Sequence, residues 1–117
     1  MRAINSDERQ LLESLLVSAQ PLSKDGPNLT TQERRALINS LHSLDVETSC
    51  TCHTCISLSF TGQRRALDIT TVLSAEVEGG SALILLHIID GAVRELEIAP
   101  TGNLPVSALP NADVLIF

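Results

Sequence analysis

SALILLHIIDGAVRELEIAP, residues 81–100, holds two β-prone apolar runs joined by Asp90-Gly91. An Asp-Gly pair in that position is a strong hairpin signal, because the tight turn that matches strand twist needs positive φ at both central residues. A two-residue turn sets Ile89 opposite Ala92, His87 opposite Arg94, Leu85 opposite Leu96 and Leu83 opposite Ile98. On that register Leu83, Leu85, Ile89, Leu96 and Ile98 share one face. Ile84, Leu86, Ile88 and Val93 share the other with Glu95 and Glu97. Both faces of the first strand are apolar, which places it centrally in a sheet. A bulge at Gly91 would shift every pairing by one residue and exchange the faces.

Working outward, Ile56, Leu58 and Phe60 alternate with Ser57 and Ser59, the pattern of a half-buried strand. Val46, Thr48 and Cys50 suggest a strand leading into it. Residues 66–78 read as a longer β segment that Gly79-Gly80 breaks. The final DVLIF (113–117) reads as an edge strand or a packed extension. Upstream, the pattern is helical. Asn5 and Glu8 have capping-box spacing ahead of Leu11, Leu12, Leu15 and Leu16, and Pro21 ends that helix. Thr30 and Glu33 form a second capping box ahead of Leu37, Ile38, Leu41 and Leu44. Two short amphipathic helices cannot bury their stripes alone. The expected fold is therefore α+β and a single domain over 1–117. Its helical part, 1–44, packs two N-terminal helices on a mostly antiparallel sheet of about four to five strands formed by 45–117. The tetrapeptide RRAL occurs at 34–37 and again at 64–67, once in an expected helix and once in an expected turn-to-strand region. Different structural settings argue for coincidence and against duplication.

Composition narrows the function classes. The 117 residues are 44% hydrophobic, which suits a folded domain with a core. No run of 18 apolar residues exists, so no membrane-spanning helix is expected. Asp7, Glu8 and Glu13 interrupt the leucines near the N-terminus, unlike a signal peptide, and a cytoplasmic location is expected. There is no Trp or Tyr and only two Phe, and the net charge is -6, so nucleic acid is not an expected partner. The charge is uneven. Residues 1–65 carry seven acids and seven bases, whereas residues 66–117 carry seven acids against Arg94 alone. An acidic half of this kind can steer a basic partner, and it can equally keep a solvated sheet face soluble.

The segment SCTCHTCISLSF (49–60) gathers Cys50, Cys52, His53 and Cys55 within six positions. A zinc site needs thiolates and imidazoles converging tetrahedrally, usually from two separated knuckles, and here there is one. His42 or His87 could complete such a site, but no spacing demands it. The C-x-x-C at 52–55 would need a helix N-terminus to stabilise its thiolate, and a strand follows instead. A nucleophilic cysteine would need a positioned histidine base, and His53 is too local to Cys52 to be informative. The reading that fits best is that of small apolar side chains at a strand junction, since free cysteine is among the most buried residue types. His87 is read as a cross-strand residue facing Arg94. No paired-carboxylate, phosphate-loop or Ser-His-Asp arrangement is present, so no catalytic residue, cofactor or enzymatic activity is expected.

Two segments carry a family resemblance. They are RAINSDERQLLESLL (2–16) and the hairpin LLHIIDGAVRELEI (85–98), followed by a Leu-Pro near the C-terminus. Together with a compact Cys-rich junction before a strand, they resemble small bacterial immunity proteins of contact-dependent growth inhibition and related polymorphic toxin systems. The resemblance covers about half the chain, and its motifs are structural. The chain departs from the pattern at Ala99, where an aromatic is expected. The resemblance implies a cytosolic binding protein whose partner is a cognate toxin domain, and it carries over no individual residue. Many such toxins are nucleases, whose clefts are basic to hold phosphates. The acids expected to fill such a cleft are Glu76, Glu78, Asp90, Glu95, Glu97 and Asp113. The alternative is a small metal- or thiol-dependent module centred on Cys50, Cys52, His53 and Cys55. The oligomeric state is open at this point.

Overall fold

Both helices begin as their caps dictate. In the computed structural model, which describes residues 2–23, 25, 27–51, 56–62, 69–101 and 109–117, a two-residue strand β1 (Arg2–Ala3) leads into helix α1 (Ser6–Ser18). The Asn5 side chain accepts the Glu8 N–H at 2.8 Å, and the Glu8 carboxylate accepts the Asn5 N–H at 2.9 Å. Arg2 donates through both guanidinium nitrogens to the same carboxylate, each at 2.8 Å, which pins β1 to the start of α1. That pair and the cap hold the buried Glu8 carboxyl below the usual carboxylate range. A second two-residue strand, β2 (Gln20–Pro21), follows. Helix α2 (Thr31–Asn39) then starts at Thr30 with a reciprocal cap to Glu33.

Arg34 ties the two helices together. Its guanidinium donates to the Leu16 carbonyl at 3.0 Å, the Ala19 carbonyl at 2.8 Å and the Asn28 side-chain oxygen at 2.9 Å. The carbonyls at a helix C-terminus lack intrahelical partners and favour a cation, so this contact is structural. Burial lowers the Arg34 pKa from its ordinary value. The first RRAL copy thus serves the fold; the second, at 64–67, lies outside the described residues.

The remaining strands are β3 (Asp45–Thr51), β4 (Ile56–Thr61), β5 (Thr71–Val77), β6 (Ala82–Ile89), β7 (Ala92–Pro100) and β8 (Leu115–Ile116). Their order is β1-β3-β4-β7-β6-β5-β2, and β8 pairs with β5 beside β2. This corrects the expectation of two N-terminal helices on a mostly antiparallel sheet of four to five strands. Among the described residues the sheet has eight strands, every pairing is antiparallel, and the two helices alternate with β1 and β2 along the chain. The physical reason is length. Strands β1, β2 and β8 have two residues each, too few to show alternation, and β2 contains Pro21, tolerated there because the strand lies at an edge. The β segment expected over 66–78 begins at Thr71, and 63–68 lie outside the described residues.

The hairpin forms with Asp90 at φ 50° and Gly91 at φ 75°, the backbone that a two-residue turn of this type requires. Ile89 pairs with Ala92 and Ile88 with Val93, but His87 then pairs with Glu95. The bulge therefore falls in β7, with Arg94 as the extra residue, and the expected facing of His87 by Arg94 is corrected. The cause lies in the spacing of the apolar residues. Val93 and Leu96 are three positions apart, so a strand without a bulge would put one of them on the wrong face. With the bulge, Val93, Leu96 and Ile98 of β7 join Ile84, Leu86 and Ile88 of β6 on one face, all fully buried.

That inner face carries the helices. Leu11, Leu12, Leu15 and Leu16 of α1 and Leu37 of α2 form one buried cluster with Ile56, Leu58 and Phe60 of β4, Leu73 and Ala75 of β5 and the inner residues of β6 and β7. At about 25 cal/mol per Å2 of apolar surface removed from water, this cluster is the main favourable term in folding. The shortest dimension of the molecule is 21 Å, the thickness of one helix layer on one sheet. No described helix is long and apolar enough to cross a membrane.

Candidate functional site: the outer face of the sheet

Alternate residues of the same strands form the opposite face, and none of them belongs to the core cluster. Register defines it row by row. Ser59 of β4, Glu95 of β7, His87 of β6 and Val72 of β5 form one row. Ser57, Glu97, Leu85 and Ser74 form the next, and Gln20 of β2 extends it. Ala99, Leu83 and Glu76 form a third, extended by Ile116 of β8. Cross-strand neighbours within a row sit about 5 Å apart, close enough for their side chains to act together.

Three kinds of side chain meet on this face. Leu83, Leu85 and His87 stand half-buried along β6, and Ile89 at its end is 45% exposed. Carboxylates flank that column, with Glu95 and Glu97 on β7 and the exposed Glu76 on β5. Small hydroxyl residues fill the β4 side, where Ser57 Oγ donates to Glu95 Oε1 at 3.1 Å. Next to Glu76 and Leu83, an open groove of about 390 Å3 is lined by Gln20, Leu22, Ser74, Ala75, Ile116 and Phe117 as well. Leu22, Ile116 and Phe117 are each about half exposed, an unusual grouping of large apolar side chains at one sheet edge.

Of the six acids singled out from sequence, the structure brings Glu76, Glu95 and Glu97 onto this one face. Glu78 lies in the turn after β5, where its N–H donates to the Val114 carbonyl at 2.7 Å. Asp90 sits in the hairpin turn at the opposite end of β6, about 25 Å from Glu78 by the strand's length and just past Ile89, outside the three paired rows. Asp113 lies in a short 3-10 turn (Ala112–Val114) beside Gln10, Glu13 and Ser14 of α1. The last three acids therefore do not share the patch. Sequence reasoning missed the column of Leu83, Leu85 and His87 between the carboxylates. The odd Val93–Leu96 spacing was the signal that could have found it.

The Cys50 side chain, Cys52, His53 and Cys55 lie outside the described residues; the Cys50 backbone pairs with Ser57 in β3–β4. Among the described residues no group of three or more His, Cys, Asp or Glu is placed to hold a metal ion. His42 sits in a 3-10 turn (Leu41–Ser43), with Nδ1 donating to the Asn39 carbonyl at 2.7 Å.

With the geometry in place, comparison with known proteins adds no constraint. No family model matches the chain, and no curated protein or solved structure matches it. What this face does must follow from its own chemistry: it can present an apolar strip between carboxylates to a partner of opposite charge.

Proposed function

We propose that the chain is a cytosolic inhibitor of the immunity-protein kind, which neutralises a cognate toxin domain by laying the outer face of its sheet over a basic cleft. The observation that carries this reading is the bulge at Arg94, which sets Glu95 and Glu97 in register with His87 and Leu85. Carboxylates give fast, salt-sensitive encounter with a cleft built to hold phosphates. The leucines between them supply the desolvated centre that tight binding needs, and the partner supplies the aromatic anchors this chain lacks. Such a protein acts by occupying the cleft, with no chemistry of its own.

The test is calorimetric titration against the toxin domain encoded immediately upstream, at low and high salt, with the parent and with the combined variant Glu76→Lys, Glu95→Lys, Glu97→Lys. Nanomolar binding by the parent that weakens with salt and is lost in the variant is the expected result. Equal affinity of parent and variant would remove the outer face from the interface, and absence of binding at either salt would overturn the inhibitor reading.

A further inference from the structure

Resting on the reading of the outer face as a docking surface, we infer that the element it receives is an amphipathic basic helix of the partner, seated along β6. The face offers side chains only. The backbone N–H and C=O groups of β4, β7, β6 and β5 are engaged in their own ladders, so nothing on this face can complete a partner strand. The docked element must satisfy its own backbone, as a helix does.

Dimensions agree. The column from Leu83 to Ile89 advances about 20 Å, the length of roughly 13 helical residues. The carboxylates stand on the strands either side of it, so their two lines are about 10 Å apart, close to the diameter of a helix with its side chains. A helix with a leucine-type stripe would rest that stripe on Leu83 and Leu85. Lys or Arg on its flanks would reach Glu95 and Glu97 on one side and Glu76 on the other, with their stems lying over the apolar strip. The inner face of the same sheet already accepts α1 through its leucine stripe.

Charge decides against a second copy of this chain as the occupant. Stacking two such faces would bring the three carboxylates of each copy, Glu76, Glu95 and Glu97, against those of the other, with Arg94, bulged beside Glu95, as the one Lys or Arg among the described residues of β4, β5, β6 and β7.

The experiment uses the full chain, isotope-labelled, and two synthetic peptides about 15 residues long with identical Leu, Lys and Ala content. One spaces its leucines at i, i+3, i+4 and i+7 with lysines on the flanks; the other alternates them at every second position. The expected result is that the helical isomer shifts the amide resonances of Leu83, Leu85, His87, Glu95 and Glu97. It should gain helicity on binding and bind about ten-fold tighter than its isomer. Leu85→Ser should weaken it by about ten-fold while the remaining spectrum is unchanged, and Glu95→Gln with Glu97→Gln should flatten its salt dependence. Equal affinities, or a preference for the alternating isomer with shifts still on this face, would overturn the helix while leaving the docking reading intact. If neither peptide shifts this face, the helix inference is overturned, and the toxin titration with the charge-reversed variant then decides the docking reading separately.

Discussion

The two faces of the sheet are built from alternating residues of the same strands, yet they are under different physical demands. On β6, Ile84, Leu86 and Ile88 are completely buried against the helices, while Leu83, Leu85 and His87 between them keep part of their surface in water. On β7, Leu96 and Ile98 face the helices and Glu95 and Glu97 face out. Fully burying a leucine or isoleucine contributes about 1.5–3 kcal/mol, so folding free energy is concentrated on the inner face. The outer face contributes less to that sum, and its more exposed positions can carry charge. Holding Arg94 out of the ladder as a bulge keeps the two roles separated; were Arg94 paired in regular alternation, β7 would carry its carboxylates toward the helices.

The strongest way to break this comparison is to change the register. Removing Glu97 would turn Ile98 outward and disrupt its pairing with Ile56 and Ile84, and the protein is expected to lose its cooperative unfolding transition. Removing Arg94 leaves Val-Glu-Leu-Glu-Ile, a perfect alternation, and that variant is expected to fold with stability within about 1 kcal/mol of the parent. Urea denaturation followed by circular dichroism distinguishes the two; equally damaging deletions would show that the bulge does more than set parity. Next in size, Leu86→Ala on the inner face should cost about 3 kcal/mol, whereas Leu85→Ala, its neighbour on the outer face, should cost less than about 1 kcal/mol. Similar losses from both would mean that the outer face is a second core. Smaller again is Gly62→Ala at the end of β4. Gly62 has φ +89°, and a Cβ there would stand 2.5 Å from the Ser43 carbonyl oxygen, so a loss of about 2 kcal/mol is expected in the same denaturation assay.

Legibility followed the range of the interactions involved. The helix starts at Asn5 and Thr30 and the Asp90-Gly91 turn depend on residues within four positions of one another, and each was readable from its local spacing. The Asp90-Gly91 turn does not by itself set the register of β7 against β6, because the bulge falls at Arg94, where the parity of Val93 and Leu96 is the local signal. Strands β1 and β2 were invisible as strands, since two residues carry no period and their pairing is decided by partners far along the chain, and the tail that contains β8 reads equally as an edge strand or a packed extension. The same limit applied to the site. Composition identified an acidic second half, but only register shows that Glu76, Glu95 and Glu97 share a face that Glu78, Asp90 and Asp113 do not join.

The smallest expected effect contrasts two glutamates in different settings. Glu8 is buried, accepts both guanidinium nitrogens of Arg2 and caps α1, whereas Glu95 is half-exposed and receives one hydroxyl. Glu95→Gln should change stability by less than about 0.5 kcal/mol. Glu8→Gln should cost about 1 kcal/mol at pH 7, the usual size of a lost cap interaction. Its pH dependence has a definite sign. Arg2 first, and then the Asn5 N–H, hold the folded Glu8 carboxyl below its ordinary value, so the unfolded chain takes up a proton before the folded one does. The contribution of Glu8 is therefore complete above the ordinary carboxylate range and is lost as pH falls through the folded pKa. The stability difference between parent and Glu8→Gln should shrink toward zero in urea titrations carried from pH 7 to about pH 3. A difference that stays constant over that range would assign the role of Glu8 to hydrogen-bond geometry that glutamine cannot copy, and would leave β1 held to α1 by something other than charge.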